Sequence, residues 1–288
     1  MLRTSIAIIL LFFACVQAEA AIIFSENFDS HSGDECTVNN STAPDGWDQW
    51  MTDGISASHD SVTHYSGEIT ETGRGGSGKS LKLWRHSDSW VGSASYAGSL
   101  LYTAPTGYAN FFLRFYAKIP TGLYVPYNTK MWRFNVSGGS GEIYVNLNAA
   151  PDTGGKGYTY LWVWGGSGDS SDNTTLVNAE TLETLWDGDW HCWQFQFNLT
   201  AGTVTFWGDG VQLGSITDSR LQAGTWNSYM QHWPLGNAQG SNWQSSWQAF
   251  EVDDLIIATT KAETDPDDAE PTPVRKLNNV TGVRVTLH

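Results

Sequence analysis

Tyr158, Tyr160, Trp162 and Trp164 recur at every second position of the run Tyr158-Thr159-Tyr160-Leu161-Trp162-Val163-Trp164. In an extended strand this spacing puts all four rings on one face and Thr159, Leu161 and Val163 on the other. The aliphatic side suits a core. The aromatic side suits a sugar, whose C–H patches stack on ring faces while its hydroxyls reach polar edges. Taken alone, the run also fits a strand buried on both faces. The chain holds fifteen Trp and eleven Tyr in 288 residues, more than a core of this size needs. That surplus makes a surface role for some of them the natural reading.

The same two-sided pattern repeats along the chain. Leu81 and Leu83 alternate with Lys82, Trp84 and His86. Phe111, Leu113, Phe115 and Ala117 alternate with Phe112, Arg114, Tyr116 and Lys118. Ile143, Val145 and Leu147 oppose Tyr144, Asn146 and Asn148, and Trp193, Phe195 and Phe197 oppose Gln194, Gln196 and Asn198. Planar amides and charged groups are the partners that sugar hydroxyls need. Burying all of them without partners would cost about 1–3 kcal/mol for each unmet group. The expected glycan surface therefore comprises Trp84, Arg114, Tyr144, Asn146, Tyr158, Trp162, Trp164, Gln194 and Gln196. Trp233 joins them from the segment 226–247, which is rich in Trp and His and reads as a loop or irregular hairpin at the rim. A sandwich has two outer faces, and parity does not say which sheet each residue joins.

These strands lie in one all-β unit spanning 21–260. Short apolar or alternating runs are separated by Gly, Asn, Asp, Ser and Pro, with hairpin signals at Gly138-Gly139-Ser140-Gly141 and Gly208-Asp209-Gly210. The stretch 178–185 is the best candidate for a short helix. Ahead of this unit, Arg3, the apolar run from Ile6 to Val16 and Ala18-Glu19-Ala20 form a secretory signal over 1–20. Phe12-Phe13-Ala14-Cys15 offers a lipoprotein cleavage site as the alternative, with Phe in place of the usual Leu. No segment is long and apolar enough to span a membrane. Residues 261–288 begin acidic and proline-rich, as a linker and tail do.

Without the signal segment, Cys36 and Cys192 are the only cysteines. In an exported chain they suggest one disulfide, with two separate buried thiols as the alternative. Acidic residues outnumber basic ones 30 to 15, for a formal charge of −15 and no basic block. That excludes nucleic acid as a natural partner and disfavours anionic membranes. The predicted partner is a polysaccharide, met outside the cell.

Five motifs, in order, point to a family. They are Phe24-Ser25-Glu26-Asn27-Phe28-Asp29, Gly75-Gly76-Ser77-Gly78-Lys79-Ser80-Leu81-Lys82-Leu83, Asp189-Trp190-His191-Cys192-Trp193, Gly202 to Gly210, and Phe250-Glu251-Val252-Asp253-Asp254-Leu255-Ile256-Ile257-Ala258. Together they resemble the concanavalin A-like β-jelly-roll of secreted polysaccharide lyases and carbohydrate-binding modules. The resemblance implies a sandwich of two antiparallel sheets with the glycan lying across one of them. It also implies a structural Ca2+ where the first and last strands meet, with Glu26, Asp253 and Asp254 at the matching positions. No organic cofactor is implied.

Glycosidases on this fold carry Glu-x-Asp-x-x-Glu on one strand, and that run is absent here. A lyase instead needs a base for the proton alpha to a uronate carboxylate, an acid, and a cation or amide for the carboxylate. His86 or His232 could be the base and Tyr160 or Tyr144 the acid. Arg133 or Arg114, aided by Asn146, could hold the carboxylate. The lyase strand motifs rich in Arg or Lys and Gln-x-His are also absent, so glycan binding without catalysis is the leading expectation. Lyase activity is the alternative, and a structural surface protein is a third.

Overall fold

The structure is a computed structural model. It describes residues 21–31, 47, 49–51, 56–59, 62–65, 67–85, 99–121, 129–138, 141–151, 157–165, 173–177, 184–222, 225–232, 248–261 and 264. The segment 1–20, Cys36, His86, Trp233 and the tail beyond Thr264 lie outside the described residues, as does most of the stretch 178–185.

The strands in chain order open with β1 (Ile22–Glu26), β2 (Gln49–Met51), β3 (Ser56–His59), β4 (Val62–Tyr65), β5 (Gly67–Thr70) and β6 (Ser80–Arg85). Next come β7 (Ser99–Tyr108), β8 (Asn110–Lys118), β9 (Thr129–Gly138), β10 (Gly141–Pro151), β11 (Gly157–Gly165) and β12 (Asn173–Val177). The chain finishes with β13 (Trp190–Asn198), β14 (Thr203–Gly208), β15 (Val211–Thr217), β16 (Thr225–His232) and β17 (Gln248–Ala258). Sheet A has eight strands in the order β15-β14-β13-β8-β17-β6-β5, with β1 also on β17. Sheet B has seven, in the order β12-β11-β10-β9-β16-β7-β2. All the paired strands are antiparallel, and β3 and β4 form a small separate hairpin.

The expected dry faces of sheet A are its core. Leu81, Leu83, Phe111, Leu113, Phe115, Ala117, Trp193, Phe195 and Phe197 have no exposed surface. Cross-strand pairing brings their rings together. Phe111 stacks on its partner Phe197 at 4.5 Å, and Phe195 on its partner Phe206 at 4.8 Å. Such pairs add about 0.5–1.5 kcal/mol to the burial of each ring. The two sheets meet at Phe24 of β1 and Tyr102 of β7, whose rings stack at 4.2 Å. The turn at Asp209 and Gly210 has positive φ at both residues (49° and 75°), which matches a two-residue hairpin of the primed type.

One expectation changes. The segment from Trp226 is not loop at its start, because β16 runs between β9 and β7 through the middle of sheet B. The start of the expected linker lies against sheet A. Gln194 of β13 donates to both the carbonyl and the hydroxyl of Thr264 (2.8 and 2.9 Å), and Lys261 lies over the ring of Trp207 at 5.6 Å.

Candidate functional site

The ladder of sheet B sorts its residues into two faces. Tyr102 belongs to the buried core. Register carries its row through Tyr229, Phe134, Val145 and Val163, so these positions share the core side of the sheet. The next row starts at exposed Thr103 and runs through Ser228, Asn135, Tyr144 and Trp164. On the other side of the Tyr102 row, Met230, Arg133, Asn146 and Trp162 are paired in line. Because faces alternate along each strand, Arg133, Tyr144, Asn146, Tyr158, Tyr160, Trp162, Trp164 and His232 all fall on the face away from the core.

A bulge adds a residue that the alternation alone misses. Leu147 pairs with Trp132, but the following Asn148 pairs with Lys130 rather than Met131. The extra residue resets parity on β9 and brings Lys130 to the face of Asn148 and Arg133. Asn148 in turn pairs with Tyr160. On the other side of β9, His232 stands one step past the Gln231–Trp132 pair. With strands about 4.8 Å apart, Tyr160 on β11 and His232 on β16 lie roughly 14 Å apart across the row, with Asn148 and Lys130 between them. A base-capable His, a Tyr, two cations and a planar amide thus share one sheet face.

Four other predicted binding residues do not join this face. Trp84, Arg114, Gln194 and Gln196 stand on β6, β8 and β13 of sheet A. Arg114 is only 3% exposed, with its guanidinium 5.5 Å from the ring of Tyr116. Gln194 is fully buried beneath Thr264. The correction has a simple cause: alternation separates wet from dry on a strand, but does not tell one sheet's outer face from the other's.

The trio expected to hold calcium is engaged otherwise. Glu26 is 8% exposed and accepts from the Phe28 N–H at 2.6 Å, with His31 Nε2 at 3.0 Å and Trp47 Nε1 at 3.1 Å. Asp253 accepts backbone N–H bonds from Arg74 and Asp254, both at 2.8 Å. Asp254 is paired with Arg74 Nε at 2.5 Å, and that guanidinium lies 4.0 Å from the Tyr116 ring. Asp254 has φ of 48°, at a bulge where β17 exchanges β6 for β1 as its neighbour. Glu26 and Asp254 border a cavity of about 370 Å³, but Arg114 borders it too, and a fixed positive charge there opposes a cation. Among the described residues no three His, Cys, Asp or Glu side chains gather as a metal-binding group. These residues do not fit a calcium ion as a set.

Cys192 is buried on β13, and burial pushes its thiol up to about 12. Its neighbour His191 bridges Asp209 and Asp187, at 2.7 Å from Nδ1 and 2.9 Å from Nε2. Burial alone would lower the His191 pKa, but these two carboxylates raise it on balance.

No protein-family model and no curated protein matches the sequence. Solved structures do match the fold. An endo-β-1,4-glucuronan lyase from the fungus Trichoderma reesei aligns over 86% of this chain and 100% of its own, with 13% identity and a TM-score of 0.54. The alginate lyase Aly36B aligns over 82% and 97%, at 11% identity and a TM-score of 0.52. Alginate lyase vAL-1 from Chlorella virus aligns over 75% and 93%, at 9% identity and a TM-score of 0.52. A doubly substituted Aly36B also matches, in a complex with alginate trisaccharide. The chain is an all-β jelly roll of two antiparallel sheets, the fold of these polysaccharide lyases.

Proposed function

We propose that the outer face of sheet B binds a uronate-containing polysaccharide and cleaves it by β-elimination. The observation that supports this most is the register that puts Arg133, Asn146, Tyr160 and His232 on one face of neighbouring strands. In this reading Arg133 and Asn146 hold the uronate carboxylate and stabilise the negative charge that develops on it. His232 takes the C5 proton. The electron pair left behind forms the C4–C5 double bond as the C4–O bond breaks, and the same imidazole returns the proton to the departing oxygen, while Tyr160, three strands away, contacts a neighbouring sugar unit. Lys130 adds a second positive charge beside the carboxylate. Tyr158, Trp162 and Trp164 extend the face along β11 for further sugar units. The secretory signal at 1–20 would deliver the protein to extracellular polymers.

A second reading, binding without catalysis, is favoured by the absence of a Gln-x-His lyase motif in the sequence. One experiment separates the two. The mature protein is mixed with alginate, glucuronan, pectate and glycosaminoglycans, and ultraviolet absorbance of the C4–C5 double bond is followed alongside retention on the immobilised polymer. Rising absorbance that falls about a hundredfold or more in Arg133→Ala supports the lyase, since carboxylate stabilisation is a transition-state effect. Retention with a flat trace on every polymer assigns a binding module. Neither retention nor cleavage rejects both readings.

A further inference from the structure

The outer face of sheet A carries a row that neither reading uses. Register pairs Glu68 with Lys82, Lys82 with Glu251, Glu251 with Lys118, and Lys118 with Trp190. Five strands, β5, β6, β17, β8 and β13, thus contribute alternating charges that end in an indole. All five residues are half-buried, whereas Leu81, Val252 and Ala117 beside them have no exposed surface. A cavity of about 610 Å³ opens over the row, bordered by Lys82, Lys118, Trp190 and Glu251 and on its far side by Thr70, Thr72, Gly73, Gly75 and Gly76.

The polar groups of this cavity are held in place. Ser80 is fully buried, bonds Thr70 Oγ1 at 2.7 Å and donates to Glu251 Oε2 at 3.3 Å. Glu251 Oε1 faces Lys118 Nζ at 3.9 Å, the long limit of an ion pair. The Lys118 side chain is 42% exposed, so the pair adds little stability. The geometry leaves that ammonium with N–H donors for a ligand. Gly75 and Gly76 have φ of 78° and 80°, and a Cβ on either would meet nothing. The left-handed backbone is what demands glycine there, and its effect is a low rim beside the cavity.

We propose that this cavity is a second glycan site, on the sheet opposite the first, and that it takes a neutral oligosaccharide. Trp190 offers a ring for the C–H face of a sugar. Glu251 and Lys118 offer an acceptor and a donor for adjacent hydroxyls. Two Lys and two Glu balance to zero along the row. The local charge therefore does not attract a polyanion, which separates this site from the face of sheet B that carries Lys130 and Arg133. The proposal does not rest on the lyase reading. The site would tether the protein to one polymer while sheet B meets another.

Native gels cast with mixed-linkage β-glucan, xylan or galactomannan test it in the full mature chain. The wild type should be retarded by at least one of these neutral polymers. Trp190→Ala should weaken that affinity about tenfold, as loss of one stacking ring does, while Arg133→Ala on sheet B leaves it unchanged. Lys118→Gln, on an exposed side chain, gives the same reading should the tryptophan variant fail to fold. An unretarded wild type overturns the proposal. So does retardation that survives Lys118→Gln and any folded Trp190→Ala, or that disappears in Arg133→Ala.

Discussion

Asp253 is 4% exposed and accepts from two backbone N–H groups, yet burial, with the charges of Asp254 and Asp29 behind it, pushes its carboxyl up to about 7. Its ordinary value is 3.8, so between the two the folded chain binds a proton that the unfolded chain has released. Stability at this site is therefore fully present at low pH and falls as pH rises from about 4 through about 7. A shift of this size corresponds to a loss of about 4 kcal/mol at most. Asp253→Asn removes the charge. Its melting temperature should exceed that of wild type at pH 8, with little difference at pH 4. Parallel pH profiles for the two proteins would show an ordinary Asp253. A Ca2+-dependent rise above pH 7 in wild type alone would instead make Asp253 a cation ligand.

At the scale of elements, two irregularities decide what the faces carry. The bulge on β9 turns Lys130 to the outer face, and the bulge on β17 marks where β6 gives way to β1. Next to them, the segment after β17 crosses the outer face of sheet A and seals Gln194 under Thr264. Gln194→Met keeps the size of the side chain but leaves the Thr264 carbonyl without that donor. Chemical denaturation should show a loss of about 1–3 kcal/mol, the cost of a buried polar group left unmet. A variant as stable as wild type would mean that the segment rests on the sheet without supporting it. Alternation exposed the dry faces of β6, β8 and β13 because each is a plain period-2 pattern. It could not place Gln194, because a tail distant in sequence buries it, or Lys130, because an inserted residue leaves no compositional trace. The acidic and proline-rich character of 261–273 signalled a linker, although Lys261 and Thr264 at its start are docked by contacts that composition does not encode.

For the whole molecule, the two sheets share one core but present different outer faces. Sheet A is crossed by Arg74, the C-terminal segment and the charged row, whereas register puts Tyr158, Tyr160, Trp162 and Trp164 at positions on the face of sheet B away from the core. The division implies that folding and glycan binding can be separated by mutation. Phe195 lies in the core with no exposed surface, and Phe195→Ala should cost about 3–5 kcal/mol of stability. Trp162 pairs with Asn146, on the face opposite the Tyr102 row. If the proposed glycan face is right, Trp162→Ala should change stability by less than about 1 kcal/mol. Its affinity for an immobilised uronate polymer should nevertheless drop about tenfold, which equals about 1.4 kcal/mol of binding energy. Denaturant unfolding and polymer retention, measured on the same two variants, supply both axes. Phe195→Ala should lose stability while its folded fraction still binds, and Trp162→Ala should do the reverse. If Trp162→Ala loses as much stability as Phe195→Ala, the aromatic row belongs to packing, and the glycan face must be sought elsewhere on the molecule.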